Sequence, residues 1–184
     1  MTDFIKTSIA GVWIIEPQRF GDRRGYFCET FREDLFEAAT GCRPHFVQDN
    51  ESVSCRGVVR GLHYQAGDAS QAKLVRVTEG SIVDVAVDLR SSSPTFGRHI
   101  MVELDAESGR QLYIPRGFAH GFAVLSERAR FLYKVDNYYC PSAERSVRFD
   151  DPAIGVCWSL ALSEMVLSEK DASAPSLGEC ELFD

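Results

Sequence analysis

Strict alternation of apolar and polar positions marks the middle of the chain. Val83, Val85, Val87 and Leu89 interleave with Asp84, Ala86 and Asp88, and Ile100, Val102 and Leu104 interleave with Met101 and Glu103. Successive side chains on a strand point to opposite faces, so a period of two predicts half-buried β-strands here. Turn residues separate such runs at short intervals, at Glu79-Gly80, Ser93-Pro94, Ser108-Gly109 and Pro115-Arg116-Gly117. Many short strands broken by Gly and Pro predict an all-β antiparallel sandwich or barrel. Helical pattern is sparse: Arg32 to Thr40, stopped by Gly41, is one short candidate, and a second starts at Ser168. No low-complexity linker or charge block interrupts residues 1–160, so one domain spanning 1–184 is expected. The less regular tail, about 160–184 with short helical segments, is expected to pack over the barrel.

Composition narrows the class. The 184 residues are 45% apolar and 26% charged, and a domain this long hides about 70% of its unfolded-chain surface without needing a metal or disulfide staple. Twenty Lys+Arg against 27 Asp+Glu give a net charge of −7, which favours solubility and argues against duplex nucleic acid as a partner. A local basic pocket stays compatible with that balance. Cys28, Cys42, Cys55, Cys140, Cys157 and Cys180 form no CxxC pair and no zinc-like spacing, so reduced thiols and a cytoplasmic location are expected. The first residues lack a basic stretch followed by an apolar run, and neither a secretory signal nor a membrane span is expected.

Two segments carry chemistry. Gly109 to His120, with Pro115 and Gly117, fits the G-x5-P-x-G-x2-H spacing of the second cupin motif, in which a strand turns and returns with its His facing the barrel interior. A small jelly roll is therefore the expected architecture. The first cupin motif would supply two His at i, i+2; the comparable segment here, Arg60-Gly-Leu-His63-Tyr-Gln65, has Gln in the second place. His63 and His120 alone are too few ligands for a first-row metal. No metal and no cofactor are expected, and side-chain acid–base chemistry takes their place.

A longer series of motifs resembles one family. Gly21-Asp-Arg-Arg24-Gly-Tyr-Phe-Cys-Glu29, Phe46-Val-Gln48-Asp49-Asn50-Glu-Ser52, Arg60-Gly-Leu-His63-Tyr-Gln65, Lys73-Leu-Val-Arg76, Asp84-Val-Ala-Val-Asp88-Leu-Arg90, Gly117-Phe-Ala-His120-Gly-Phe122, Tyr133-Lys, Asn137-Tyr-Tyr139 and Leu167-Ser-x-Lys170-Asp171 occur in this order. In order and spacing they resemble the dTDP-4-dehydrorhamnose 3,5-epimerases over nearly the whole chain. The resemblance implies a metal-free cupin that inverts C3 and C5 of dTDP-4-dehydro-6-deoxy-glucose, acting as a homodimer that exchanges N-terminal strands. A site that borrows residues from the partner follows from it.

Inversion beside a ketone needs a base on one face of a flat enolate, an acid on the other, and a cation at the oxygen. An imidazole suits the base with little tuning, although a lone His63 is equally a hydrogen-bonded core residue. The resemblance makes His63 the general base, Tyr133 the general acid, Asp171 the dyad partner of His63, and Lys73 the enolate-stabilising cation. Ser168-Glu-Lys-Asp171 also has the form of a helix capping box, which would give Asp171 a purely structural task. The resemblance further implies substrate binding by Arg24, Glu29, Gln48, Asp49, Asn50, Arg60, Lys73, His120, Tyr139, Glu144 and Lys170. Guanidinium forks suit paired phosphate oxygens. Adjacent residues of an extended segment point to opposite sides, so only one of Tyr138 and Tyr139 can stack on thymine, and the resemblance favours Tyr139. Asp84 is expected on an inward-facing strand position against His63 or His120.

One departure stands out. Trp158-Ser159 replaces the Trp-Pro of most relatives, which leaves the path toward Asp171 open to change. Three other readings stay on the table: a single-centre epimerase of a related dTDP-4-keto-6-deoxy sugar, a metal-dependent cupin, and a non-catalytic nucleotide-sugar-binding cupin.

Overall fold

A computed structural model describes every residue from Met1 to Asp184. The strands are β1 (Asp3–Lys6), β2 (Trp13–Glu16), β3 (Arg19–Asp22), β4 (Gly25–Cys28), β5 (Gln48–Cys55), β6 (Val59–Gln65), β7 (Lys73–Glu79), β8 (Ser81–Asp88), β9 (His99–Asp105), β10 (Gln111–Ile114), β11 (Phe118–Val124), β12 (Arg128–Val135) and β13 (Glu144–Ser146). There are two short α-helices, α1 (Glu33–Thr40) and α2 (Glu169–Ala172), and three single-turn 3-10 helices. One sheet runs β1-β2-β10-β7-β12-β5, the other β13-β6-β11-β8-β9, and β3-β4 form a separate hairpin. Neighbours in both large sheets are mostly non-consecutive in the chain, the crossed connectivity of a jelly-roll sandwich.

The core lies between the sheets. Val75, Val77, Leu112, Ile114 and Phe131 from one sheet meet Ile82, Ala86, Leu104, Phe118, Phe122 and Val124 from the other. At roughly 25 cal/mol per Å² of apolar surface removed from water, this layer is the main favourable contribution to folding. On the far side of the six-stranded sheet, α1 buries Phe36 against Trp13, Leu74 and Tyr113. The helix ends where the sequence predicts, at Gly41, whose φ of 73° is the left-handed conformation glycine adopts without penalty.

Strand β8 departs from the expected half-buried form: Ile82 through Asp88 are all buried. Its Asp84, Ala86 and Asp88 side faces the sandwich interior, while Val83, Val85 and Val87 face outward into a second cluster with Phe149, Ile154, Trp158 and Leu177. The chain beyond β13 thus covers the valine face. Asp151 fastens this cover, accepting the Leu177 N–H at 2.7 Å through a buried carboxylate. The interior carboxylate of Asp88 is satisfied by Arg90, Ser93 and Thr95.

Two glycines let β6 and β11 approach closely beside the motif histidines. A Cβ on Gly61 would lie 2.6 Å from the Gly121 Cα, and one on Gly121 would lie 2.6 Å from the Arg60 carbonyl oxygen. The register shifts at this point, between His120 and Phe122.

Ser159 has φ 58°, which proline cannot adopt, so the segment between Trp158 and α2 follows a path closed to a Trp-Pro sequence. Ser159→Gly should raise unfolding free energy by up to about 1 kcal/mol, and Ser159→Pro should lower it by about 2 kcal/mol or more. Denaturant midpoints of the two variants check this; a neutral Ser159→Pro would mean the segment readily takes another path.

Candidate active site

A cavity of about 300 Å³ opens between the two sheets. His63 and His120 enter it from one wall, as paired neighbours on β6 and β11. Lys73 from β7, Tyr133 from β12 and Asn50 from β5 enter it from the other. Alternation along each strand sets these directions, and the sandwich brings the two sets face to face.

His63 Nε2 lies 2.5 Å from Asp171 Oδ1. The other carboxylate oxygen accepts from the Ser168 hydroxyl at 2.8 Å, and the Asp171 N–H donates to Ser168 Oγ at 3.1 Å. The two readings are therefore not exclusive: Ser168 caps α2 through the Asp171 N–H, and the capped helix presents the carboxylate to the imidazole. Burial opposes ionisation of Asp171, but hydrogen bonds from His63 and Ser168 keep its carboxyl below the usual range.

Lys73 is buried, with Nζ 3.4 Å from the His63 carbonyl oxygen. Burial pushes its ammonium down to about 8, against the opposing pull of Asp84 and Glu144. Asp84 meets His120, not His63, with oxygens 2.9 and 3.1 Å from Nε2. Desolvation lowers the His120 pKa, with Asp84 acting in the opposite sense. Burial raises the Tyr133 phenol above its ordinary value, Arg60 partly offsetting it, so the hydroxyl keeps its proton at neutral pH.

At the mouth, Glu144 Oε2 receives the Tyr139 hydroxyl at 3.1 Å and the Lys170 ammonium at 2.6 Å. Tyr139 lines the cavity and Tyr138 does not. Arg60 also lines it, with Nε donating to Ser54 Oγ at 3.0 Å. Gln48 bridges Asn50 and the Tyr139 backbone, donating to Asn50 Oδ1 and accepting from the Tyr139 N–H.

Gln48 and Lys170 meet the cavity only through residues that line it, and three further expected binding residues lie away from it in the single chain. Asp49 sits on the opposite face of β5 and pairs with Lys134 at 2.8 Å. Arg24 stands at the turn of the β3–β4 hairpin, paired with Asp22 in full exposure. Glu29 follows the same hairpin, 3.9 Å from Arg32. Conversely, sequence reasoning gave no task to Gln65, Phe122 or Phe131. Gln65 occupies the second histidine place of the motif as a buried brace: its Oε1 accepts the Cys140 N–H, and its Nε2 donates to the Ala69 and Tyr138 carbonyls. Phe131, two residues before Tyr133, and Phe122, two after His120, line the cavity and were detectable by strand alternation alone.

No group of three or more His, Cys, Asp or Glu side chains is clustered as a metal ion would need. The six cysteines are free thiols, and no helix is long and apolar enough to cross a membrane.

The family model described as dTDP-4-dehydrorhamnose 3,5-epimerase matches residues 6–179. A dTDP-4-dehydrorhamnose 3,5-epimerase from Salmonella typhimurium is 53% identical over 181 residues, 98% of each chain. The crystal structure of the enzyme of that name from Elizabethkingia anophelis superposes with a TM-score of 0.94 at 51% identity, over 97% of both chains. That of a dTDP-6-deoxy-D-glucose-3,5-epimerase from Legionella pneumophila, in complex with dTDP-4-keto-L-rhamnose, gives 0.93 at 47% identity over 97% of this chain and 94% of its own. Sequence, fold and cavity agree, and this chain belongs to the dTDP-4-dehydrorhamnose 3,5-epimerase family.

Proposed function

We propose that this chain is a cofactor-independent isomerase that inverts C3 and C5 of dTDP-4-dehydro-6-deoxy-D-glucose, giving dTDP-4-dehydro-L-rhamnose for dTDP-rhamnose biosynthesis. The observation that carries this reading is the placement of His63 and Tyr133 on opposite walls of one cavity, with buried Lys73 beside them. With Nε2 held by Asp171, His63 Nδ1 is the nitrogen left to take the proton from carbon. The electron pair moves onto the C4 oxygen as an enolate, and Lys73 stabilises the charge there. Tyr133 then delivers its phenolic proton to the opposite face of the same carbon, completing the inversion. Repeating the step at the other carbon flanking the ketone uses the same pair. His120, held by Asp84, and Asn50 contact the sugar; Tyr139 stacks on the base, and Arg60, Glu144 and Lys170 serve the nucleotide end, with Gln48 setting Asn50 and Tyr139.

The working unit in this reading is a homodimer. The β3–β4 hairpin pairs only with itself and exposes Phe20, Tyr26 and Phe27 by half or more. An isolated two-stranded hairpin is marginal in water, so a second copy is the surface that would hold it. Docked there, Arg24 and Glu29 reach the partner's cavity, and Asp49 lies at the interface.

Incubation in deuterated water followed by NMR of C3 and C5 tests the reaction. His63→Ala should lower deuterium incorporation at both carbons by about a thousandfold, and Tyr133→Phe should slow inversion by about a hundredfold while exchange continues from the His63 side. Exchange at the wild-type rate in His63→Ala would overturn the assignment. The rate should also fall as pH rises through about 8, where Lys73 loses its charge. Stability moves the opposite way. The folded chain releases the Lys73 proton near 8 and the unfolded chain near 10.5, so stability relative to Lys73→Met should rise across that window by on the order of 3 kcal/mol. A flat difference would place Lys73 in water. Sedimentation should show a dimer, and Arg24→Ala should raise KM by about tenfold with kcat little changed; a monomer of full activity would refute the shared site.

A further inference from the structure

The inner end of the cavity differs in chemistry from its mouth. Tyr139, Glu144 and Lys170 make the mouth polar and charged. Beyond the level of His63 and Tyr133, in the same inward-facing series, stand Phe122 and Phe131, which are 4% and 2% exposed. Their rings stack with centroids 4.4 Å apart, and Phe131 lies 5.5 Å from Tyr133 and 5.8 Å from His120. Both line the cavity, so the two rings form an aromatic floor next to the groups that handle protons.

We infer that Phe122 and Phe131 form an apolar subsite for the methyl group on C5, and that this floor selects 6-deoxy sugars over sugars carrying a hydroxyl on C6. The inference rests on the epimerase reading above. With the nucleotide at the mouth, C1 of the sugar points outward and C4, across the ring, points inward. The ketone then approaches Lys73, and its two flanks are the C3 hydroxyl and the C5 methyl. On the β5 side, Asn50 and Ser52 line the cavity with hydrogen-bonding groups suited to a hydroxyl. On the β11 and β12 side, the two rings have no donor or acceptor. A methyl group loses nothing against the rings, whereas a hydroxymethyl group would leave its water partners and find none in them, the polar neighbours Arg60 and Ser52 standing on the flanking strands β6 and β5.

The reaction itself favours such a floor. Inversion at C5 moves the C5 substituent from one face of the ring toward the other. A directional hydrogen bond would hold only one of the two epimers, but contact with an aromatic surface is non-directional and accommodates both.

The test compares three nucleotide sugars with the wild-type protein by deuterium exchange at C3 and C5: the 6-deoxy substrate, its C6-hydroxyl counterpart, and the homologue with an ethyl group on C5. Ethyl and hydroxymethyl are close in size and differ in polarity. The hydroxymethyl sugar should lose about a hundredfold in kcat/KM and the ethyl sugar less than about tenfold. In Phe122→Ser, shown to be folded by its thermal transition and by binding of thymidine diphosphate, the hydroxymethyl penalty should shrink below about tenfold. Equal handling of methyl and hydroxymethyl sugars by the wild type would overturn the inference. So would equal rejection of ethyl and hydroxymethyl, which would make size the criterion, or an unchanged penalty in folded Phe122→Ser. The three-sugar comparison stands even if that variant does not fold. Failure to exchange the 6-deoxy substrate at all would instead overturn the epimerase reading.

Discussion

The hydrogen bond between His63 and Asp171 joins residues 108 positions apart and ties the end of the chain to the sandwich. Much of the structure depends on that tie. The segment that delivers Asp171 also lays Trp158 and Leu177 over the outward valines of β8. Covering an apolar face and holding the His63 imidazole are thus performed by one stretch of chain. Ser168 serves both ends, since its hydroxyl caps α2 and donates to the same carboxylate that holds the imidazole. A four-residue helix has little stability of its own, so the cap and the buried carboxylate set its position.

Charged groups inside a sandwich are costly unless each has a partner. His120 has Asp84, His63 has Asp171, and Asp88 has Arg90 with two hydroxyls. Lys73 is the exception, with only a long contact to a carbonyl oxygen and its charge disfavoured by burial. An incompletely satisfied cation beside a cavity is suited to receive negative charge that exists only during a reaction. The surrounding apolar layer supplies the stability that tolerates it.

The opposed walls answer the stereochemical demand of inversion. A single strand presents its side chains at fixed alternation and cannot place two groups on both faces of one planar intermediate. Two packed sheets can, and here they set His63 and Tyr133 on opposite walls of one cavity. The close approach of Gly61 and Gly121 sets the backbones beside the histidines, which explains why each motif carries a glycine within two residues of its histidine.

The sequence by itself determined the all-β class, the start of both helices and the stop of the first, and the motifs that carry His63, Lys73, His120 and Tyr133, because alternation, capping and turn chemistry act over a few neighbouring residues. It marked the two readings of Asp171 as rivals, whereas in the fold the Asp171 N–H takes the Ser168 cap and its carboxylate meets the His63 imidazole. Strand β8 appeared half-exposed because its cover comes from the distant tail, and no local pattern records that. Phe122 and Phe131 were legible by period but not by purpose, since their rings meet only when β11 and β12 face each other across the sandwich. Arg24, Glu29 and Asp49 stay outside the cavity of one chain, a separation that local motif spacing cannot show. Which side chains converge was decided only by the tertiary structure, because convergence is a property of packed sheets and not of residues adjacent in the chain.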